Sequence, residues 1–378
     1  MTESGIYIHV PFCRKACHYC DFHFSTGLAG IPDMVDALEK EIHWWAQKQS
    51  GPIRSIYFGG GTPSLLSTSQ LQKLLHAVFQ GFSILPHAEI TLEVNPDDVH
   101  EAQAEDWRKA GINRLSMGIQ SLQDEGLAYM NRIHTSEIAR KAIHLIQKTG
   151  FSSYSLDLIY GVPARSTQAW EEELQEIFEW RPPHVSAYAL TVEPDTPLAH
   201  FIRRKKAVAP DEEQAATEFE RLMFHAEHSG YLHYETSNFA LPGQKAVHNS
   251  GYWDMRPCIA IGPSAHGWDG EKRYIQPANN QRYIQSWKYG EPAFSVETLN
   301  DREHYHEFIL TQVRTFRIPS PDQIASKWGS LIGEKYKRKY LRLMKTGWVT
   351  AQEVLPAARL FGDRITLELM FNEDEWTS

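Results

Sequence analysis

Hydrophobic positions in the first half of the chain switch repeatedly between two periods. A short apolar run, IYIHV (6–10), is followed by IPDMVDALEKEIHWW, where Met34, Val35, Leu38, Ile42 and Trp45 share one helical face. SIYFGGG (55–61) predicts a strand that ends in glycines. Ser67 and Gln70 have the spacing of a capping box and open a helix through Leu71, Leu74, Leu75 and Val78. In AEITLEV (88–94), Ile90, Leu92 and Val94 alternate with Glu89, Thr91 and Glu93, which predicts a strand with one buried face. A helix at 101–110, a strand at 112–118, a helix at 135–149, a strand at 154–161, a helix at 167–179 and a strand at 184–192 complete the series. Six strand–helix alternations in about 190 residues predict parallel strands. A closed eight-unit barrel takes ~250 residues, so the expectation is an α/β fold, a partial TIM-like (β/α)6 barrel. A doubly wound sheet is the alternative; in both, ligands meet the C-terminal ends of the strands.

The pattern changes near residue 195. Residues 195–300 show one clear helix (211–228) among irregular Gly/Pro/Trp-rich stretches. Beyond 301, short helices (302–315, 321–329, 333–346) precede strands expected near 347–350 and 364–369, a mainly helical, winged-helix-like ending. The division is therefore 1–195 for the partial barrel, 196–300 for a connecting region and 301–378 for the C-terminal domain.

Composition narrows the function classes. The 378 residues carry 38 Lys and Arg against 47 Asp and Glu, a net charge of −9. That balance argues against a nucleic-acid partner, which needs a basic surface. No run of ~18 apolar residues predicts a transmembrane segment. MTESGIYIHVPFC has neither a basic n-region nor a long apolar core, so no secretory signal is expected and the chain reads as cytoplasmic.

Three of the four cysteines sit together, Cys13, Cys17 and Cys20 in PFCRKACHYCDF. CxxxCxxC in a loop after the first strand is not a secreted disulfide framework. Three thiolates without a fourth suit an iron–sulfur cluster with one open iron, where substrate chemistry takes place. A zinc site recruiting His18 or His23, giving a zinc-stapled scaffold protein, is a competing reading. So is a CxxC redox pair at Cys17 and Cys20, which leaves Cys13 unexplained. GGGTPS (59–64) is not a P-loop, since no GK[ST] follows, and alone reads as a tight turn.

GIYIHVPFCRKACHYCDF resembles the cluster loop of radical S-adenosylmethionine (SAM) proteins. The YIHVPFC lead-in is similar to the oxygen-independent coproporphyrinogen III oxidase family of porphyrin biosynthesis and its HemW-type haem-chaperone branch. The resemblance implies a radical-SAM barrel whose Cys13, Cys17 and Cys20 bind three irons of a [4Fe–4S] cluster, with SAM on the fourth. It implies Tyr7 and Tyr19 beside SAM and cluster, and Gly60, Gly61 and Thr62 at the SAM amino group. Glu93, Gln120, Arg132 and Asp157 would surround the rest of SAM, with Ile159, Tyr188 and Leu190 near the adenine. Without the resemblance, Glu93 reads as an exposed strand carboxylate and the last three as core.

HNSGYW (248–253) matches the HNxxYW motif of the HemW branch, which makes His248 the haem-ligand candidate; alone it reads as a loop histidine beside a structural Tyr/Trp pair. Cys258 and His266 are further candidates. Family oxidases continue the motif to CxxxCxxCxC, where this chain has Phe22, and carry an extra N-terminal segment that is expected to be missing here. The resemblance therefore implies a haem chaperone, probing haem or porphyrin as bound cargo, that acts as a homodimer and passes haem to apo-haemoproteins, respiratory enzymes among them, with transient membrane association. The alternative within the family is a coproporphyrinogen oxidase, and whether radical chemistry still runs is open at this point.

Overall fold

A computed structural model describes residues 2–49 and 51–377. Six parallel strands follow one another in chain order: β1 (Ser4–Val10), β2 (Ile53–Gly60), β3 (Ile84–Val94), β4 (Arg114–Gln120), β5 (Ser153–Tyr160) and β6 (His184–Ala189). Consecutive order without a reversal is barrel winding and excludes the doubly wound alternative, whose strand order turns back at a switch point.

The helices between them form where the periodicity placed them. Ile31–Ala46 buries Met34, Val35, Leu38, Ile42 and Trp45. Thr68–Gly81 is closed by the full Ser67–Gln70 capping box. Glu101–Ala110, Ser136–Thr149 and Thr167–Trp180 complete the outer layer. Their apolar faces meet Ile6, Ile8, Val10, Ile56, Phe58, Leu92, Leu115, Met117, Leu156 and Leu158 in one continuous core.

Residues 196–300 hold more regular structure than their composition implies. They add β7 (Leu232–Glu235), β8 (Asn238–Ala240), β9 (Cys258–Ile261), β10 (His266–Trp268), β11 (Lys272–Ile275) and β12 (Ser295–Thr298). The resulting twelve-stranded sheet runs β12-β11-β10-β9-β1-β2-β3-β4-β5-β6-β8-β7 and stays open. β9 pairs in parallel with β1, and β8 pairs antiparallel with β6.

Beyond Asn300 the chain is mainly helical, with Asp301–Arg314, Pro321–Trp328 and Ser330–Met344 as expected. It has its own core around Tyr305, Ile309, Ile324, Tyr336, Ile365 and Leu369. The strand expected at 364–369 is instead the helix Gly362–Leu369. Ile365 and Leu369, one turn apart, are buried while Leu367 is 70% exposed, so helical spacing prevails over the apparent alternation. The strand expected at 347–350 is reduced to the single bridge Val349–Val354, next to a separate bridge Arg317–Glu353. Among the described residues, no helix is long and apolar enough to cross a membrane.

Candidate functional site

The strands' other face is polar. Tyr57 donates to Glu93 (2.7 Å), Ser116 to Asp157 (2.7 Å), and Ser155 to the other Asp157 oxygen (2.7 Å). Glu89 faces Arg114 at 3.7 Å, and Ser155 shares a hydrogen bond with His184 (2.9 Å). The barrel interior is thus a hydrogen-bonded lumen, with the apolar side of each strand given to the helices. Burial and the neighbouring Asp157 charge push the Glu93 carboxyl up to about 7, against the Tyr57 and Gly60 hydrogen bonds that pull it down. Burial likewise raises Asp157.

The cysteine loop leaves β1 at the C-terminal mouth. Phe12 bridges to Ser25, and the Cys13 amide donates to the Ser25 carbonyl (3.0 Å). The segment MNRIH grips the loop from the opposite side. Asn131, at φ 61°, donates to the Ala16 carbonyl (2.7 Å), and the His18 amide donates to the Met130 carbonyl (3.1 Å). Arg132 spans the mouth: it reaches the Cys17 sulfur (3.4 Å), the Asn95 side-chain oxygen (2.6 Å) and the Gly118 carbonyl (2.9 Å). Thr62 donates to the Cys13 sulfur (3.6 Å) and accepts from Asn95 (3.1 Å).

Gly60 and Gly61 serve this same loop. Gly60 has φ +112°, and a Cβ there would lie 2.7 Å from the His9 ring. A Cβ on Gly61 would lie 2.6 Å from the Phe12 carbonyl oxygen, one residue before Cys13. Gln120 has φ 61° at a bulge, and its amide folds back over Gly118. Tyr19, Ile159 and Leu190 meet in a small apolar cluster with Met130 and Leu198, while Tyr188 is 43% exposed at the strand end.

The HNSGYW segment lies away from the cysteine loop. It forms a short helix, Val247–Trp253, whose first amides donate to the two Glu89 oxygens (both 2.9 Å). His248 enters the lumen buried. Its Nδ1 meets the Ser55 hydroxyl (2.9 Å) and its Nε2 the Tyr252 hydroxyl (3.1 Å). Burial and the nearby Arg114 charge push it down to about 3, so the ring is neutral. Cys258 is buried with its sulfur 3.7 Å from the Tyr252 hydroxyl, and His266 is exposed on β10.

Comparison with known proteins fits this geometry. Residues 7–177, from β1 through the helix Thr167–Trp180, match the radical SAM superfamily model. The chain is 37% identical over 325 residues to the haem chaperone HemW of Escherichia coli, covering 83% of each protein. It is 36% identical over 297 residues to HemW of Synechocystis, covering 76% of this chain and 72% of that one. The chain belongs to the HemW family of radical SAM proteins. Its fold is that of the E. coli coproporphyrinogen III oxidase HemN, with a TM-score of 0.83, 22% identity, and 97% of this chain and 90% of the other covered.

Radical SAM membership implies a [4Fe–4S] cluster and SAM. Among the described residues, no three His, Cys, Asp or Glu side chains stand close enough to hold a metal ion as placed. The donor chemistry nevertheless fits a cluster. Three thiols share one loop; burial and the neighbouring Cys17 raise Cys13, and burial, with Cys17 and Cys13 beside it, pushes Cys20 up to about 12. A positive centre would reverse both shifts, because bound thiols are deprotonated. Arg132 holds its charge against Cys17 with a buried Nε that has no partner, which suits an anionic assembly at the mouth.

In this HemW-family chain the structure brings together the three cysteines, Thr62, Glu93, Arg132 and the Tyr19–Ile159–Leu190 cluster around one mouth. It separates His248 from them, at the other end of the lumen, with Tyr7 and Tyr57 stacked between (ring centroids 6.0 Å apart). Sequence reasoning missed Asn95 and Asn131, which tie Thr62, Arg132 and the loop together, and Glu89, which caps the HNSGYW helix. TLEVNP and MNRIH contain both asparagines beside residues already singled out, so their side-chain amides were readable as local anchors.

Proposed function

We propose that this chain binds haem and delivers it to apo-haemoproteins, respiratory enzymes among them, from a core that holds a [4Fe–4S] cluster through Cys13, Cys17 and Cys20. The observation that carries this reading is identity of 36–37% with proteins named haem chaperone over three-quarters or more of the chain. We place the working protein in the cytoplasm, as a homodimer that touches membranes only transiently.

Cys13, Cys17 and Cys20 would hold the cluster, which would supply one-electron reducing chemistry for SAM bound beside it. The chain's residues have separate tasks. Thr62 and Arg132 hold the loop sulfurs by hydrogen bonds, and Asn95 links the two. Glu93, held by Tyr57 and the Gly60 amide, offers an acceptor to the SAM ammonium or ribose. Gly60 and Gly61 let the loop pack against β2, and Gln120 and Asp157 present polar atoms at the strand ends. Tyr7 backs the mouth from below, while Tyr19, Ile159, Tyr188 and Leu190 supply an apolar wall for adenine.

His248 is the proposed haem ligand. Both its ring nitrogens are engaged by hydroxyls, so iron binding requires Tyr252 or Ser55 to release it. The test is a haem titration of cluster-reconstituted protein, followed by transfer to an apo-cytochrome, beside an anaerobic assay with SAM and coproporphyrinogen III. Haem uptake and transfer without decarboxylation are expected. Substrate-dependent 5′-deoxyadenosine with decarboxylated porphyrin over several turnovers would make the chain an oxidase instead. Replacing any of the three cysteines by Ala should abolish the brown colour and most bound iron; retention of iron in all three variants would overturn the cluster assignment.

A further inference from the structure

A cleft of about 670 Å³ opens on the side of the molecule between the β7–β8 hairpin and the C-terminal helical region, apart from the cysteine mouth. Three cations from different parts of the chain line it, Lys245, Arg317 and Arg359, against one carboxylate, Glu353. On a chain of net charge −9 this is a local reversal of sign.

The cations are poorly matched from within. Lys245 is exposed, and among the described residues it has only the face of Tyr234, 5.3 Å from the ring centroid. Arg317 donates from Nε to the Thr315 hydroxyl (2.8 Å) but reaches a carboxylate, Asp254, only at 3.7 Å. Arg359 lies over the Phe316 ring (4.2 Å), and its one hydrogen-bond partner is His233 Nδ1 (3.0 Å). Burial holds His233 down to about 3, so that ring accepts as a neutral group. Among the described residues no carboxylate stands within ion-pair distance of Arg359, on which Glu353 and Glu227 act only through their more distant charges, and its Nε is buried without a hydrogen-bond partner. A half-buried guanidinium in that state favours an added anion.

The walls define the anion further. Tyr234 and Phe316 present aromatic faces beneath the cations, and the volume far exceeds that of a lone phosphate. Two of its cations adjoin the HNSGYW helix: Lys245 lies two residues before Val247, and Asp254, the partner of Arg317, is that helix's C-cap. We propose that this cleft binds the carboxylate edge of a flat organic dianion, the two propionates of haem, with Lys245 and Arg317 as the exposed anchors and Arg359 as the buried one. The proposal rests on the haem reading above. His248 does not line this cleft, so the propionate contact is tested apart from the iron ligand.

The experiment compares haem with haem dimethyl ester, which has no free carboxylates, by absorbance titration of the full chain at low and high salt. The variant is Lys245→Gln combined with Arg317→Gln, leaving Arg359 in its packed place. Wild type should bind haem at least about tenfold more tightly than the ester, as charge-assisted pairs are lost with the ester, and added salt should narrow the gap. The double variant should lose most of that preference without losing ester binding. If wild type binds haem and ester equally, or if the double variant keeps the full preference, the cleft assignment is overturned and the haem reading stands. If wild type binds neither, the haem reading fails and the cleft assignment with it. Should the double variant melt well below wild type, Lys245→Gln alone, whose side chain makes no hydrogen bond or ion pair, gives the same comparison, with a preference reduced several-fold expected and an unchanged one overturning it.

Discussion

The His248 ring lies on the Tyr57 ring, with centroids 5.0 Å apart and planes 27° from parallel. Tyr57 in turn donates to Glu93, so one tyrosine touches both the HNSGYW histidine and the carboxylate at the opposite mouth. The lumen of the barrel is a packed path between the two motifs.

That stacking makes the Tyr252 hydroxyl the removable part of the histidine's surroundings. Tyr252→Phe frees Nε2 while keeping the ring contact, so it should strengthen haem binding several-fold. His248→Ala should weaken haem binding and also lower stability by about 2 kcal/mol, because Ser55 and Tyr252 lose a buried partner. Paired haem titrations and thermal melts check both; weaker haem binding in Tyr252→Phe would remove His248 as the iron ligand.

Glu89 accepts the first two amides of the Val247–Trp253 helix. Hydrogen bonds to a charged acceptor are worth about 1.5–3 kcal/mol each. Glu89→Ala should therefore speed amide hydrogen exchange at Val247 and His248 by at least about tenfold, and also in β4, where Arg114 loses its carboxylate, with much smaller changes in the helix Ser330–Met344. Exchange mass spectrometry reads this directly, and unchanged protection at the Val247–Trp253 helix would show that other contacts hold it.

Gly61 has the Phe12 backbone where a side chain would begin. Gly61→Ala must move either β2 or the cysteine loop. The expected result is loss of most reconstituted iron together with a lowered melting temperature, measured by iron analysis and calorimetry. Gly111→Ala, at φ +105° with open space around it, serves as the control: strained locally, it should keep its iron.

Stability should fall as the solution becomes acidic. His9 and His134 are held down to about 4, and His233 and His248 to about 3, in each case chiefly by burial. Their neutral forms stabilise the fold fully above the unfolded value near 6.5, and that contribution is lost as pH falls toward 4 and then 3. Glu41 and Glu93 act in the opposite sense. Burial raises both to about 7, so their contribution is full below about 4.5 and is lost as pH rises through 7. With His184, His266 and His306 also lowered and Asp97, Asp157, Glu173 and Glu235 also raised, seven histidines oppose six carboxyls, and the melting temperature should drop from pH 6.5 to 5. A flat or rising profile there would show that the buried histidines do not dominate acid unfolding.

The barrel was legible because its periodicities are local: the Ser67–Gln70 box, the Met34–Trp45 stripe and the alternation in AEITLEV each act within a few residues. The cysteine loop was legible by spacing. The later strands were not. β8 and β10 have three residues each and owe their form to long partners, β8 to β6 and β10 to β9 and β11. Nothing in RITLEL showed that Leu367 would face solvent, because that depends on the helices packed around Ile365 and Leu369. The burial of His248 was equally hidden, since its partners Ser55 and Glu89 lie 193 and 159 residues away.

β9 seals β1 and β8 seals β6, so both flanks of the six-strand unit are closed by segments made later. During synthesis the first 195 residues emerge with two raw strand edges; β6 keeps its edge until residue 240 has emerged and β1 until residue 261, on the order of ten seconds at ordinary elongation rates. Such edges are templates for pairing with another chain. The nascent protein is therefore itself a client for whatever shields unfinished sheets.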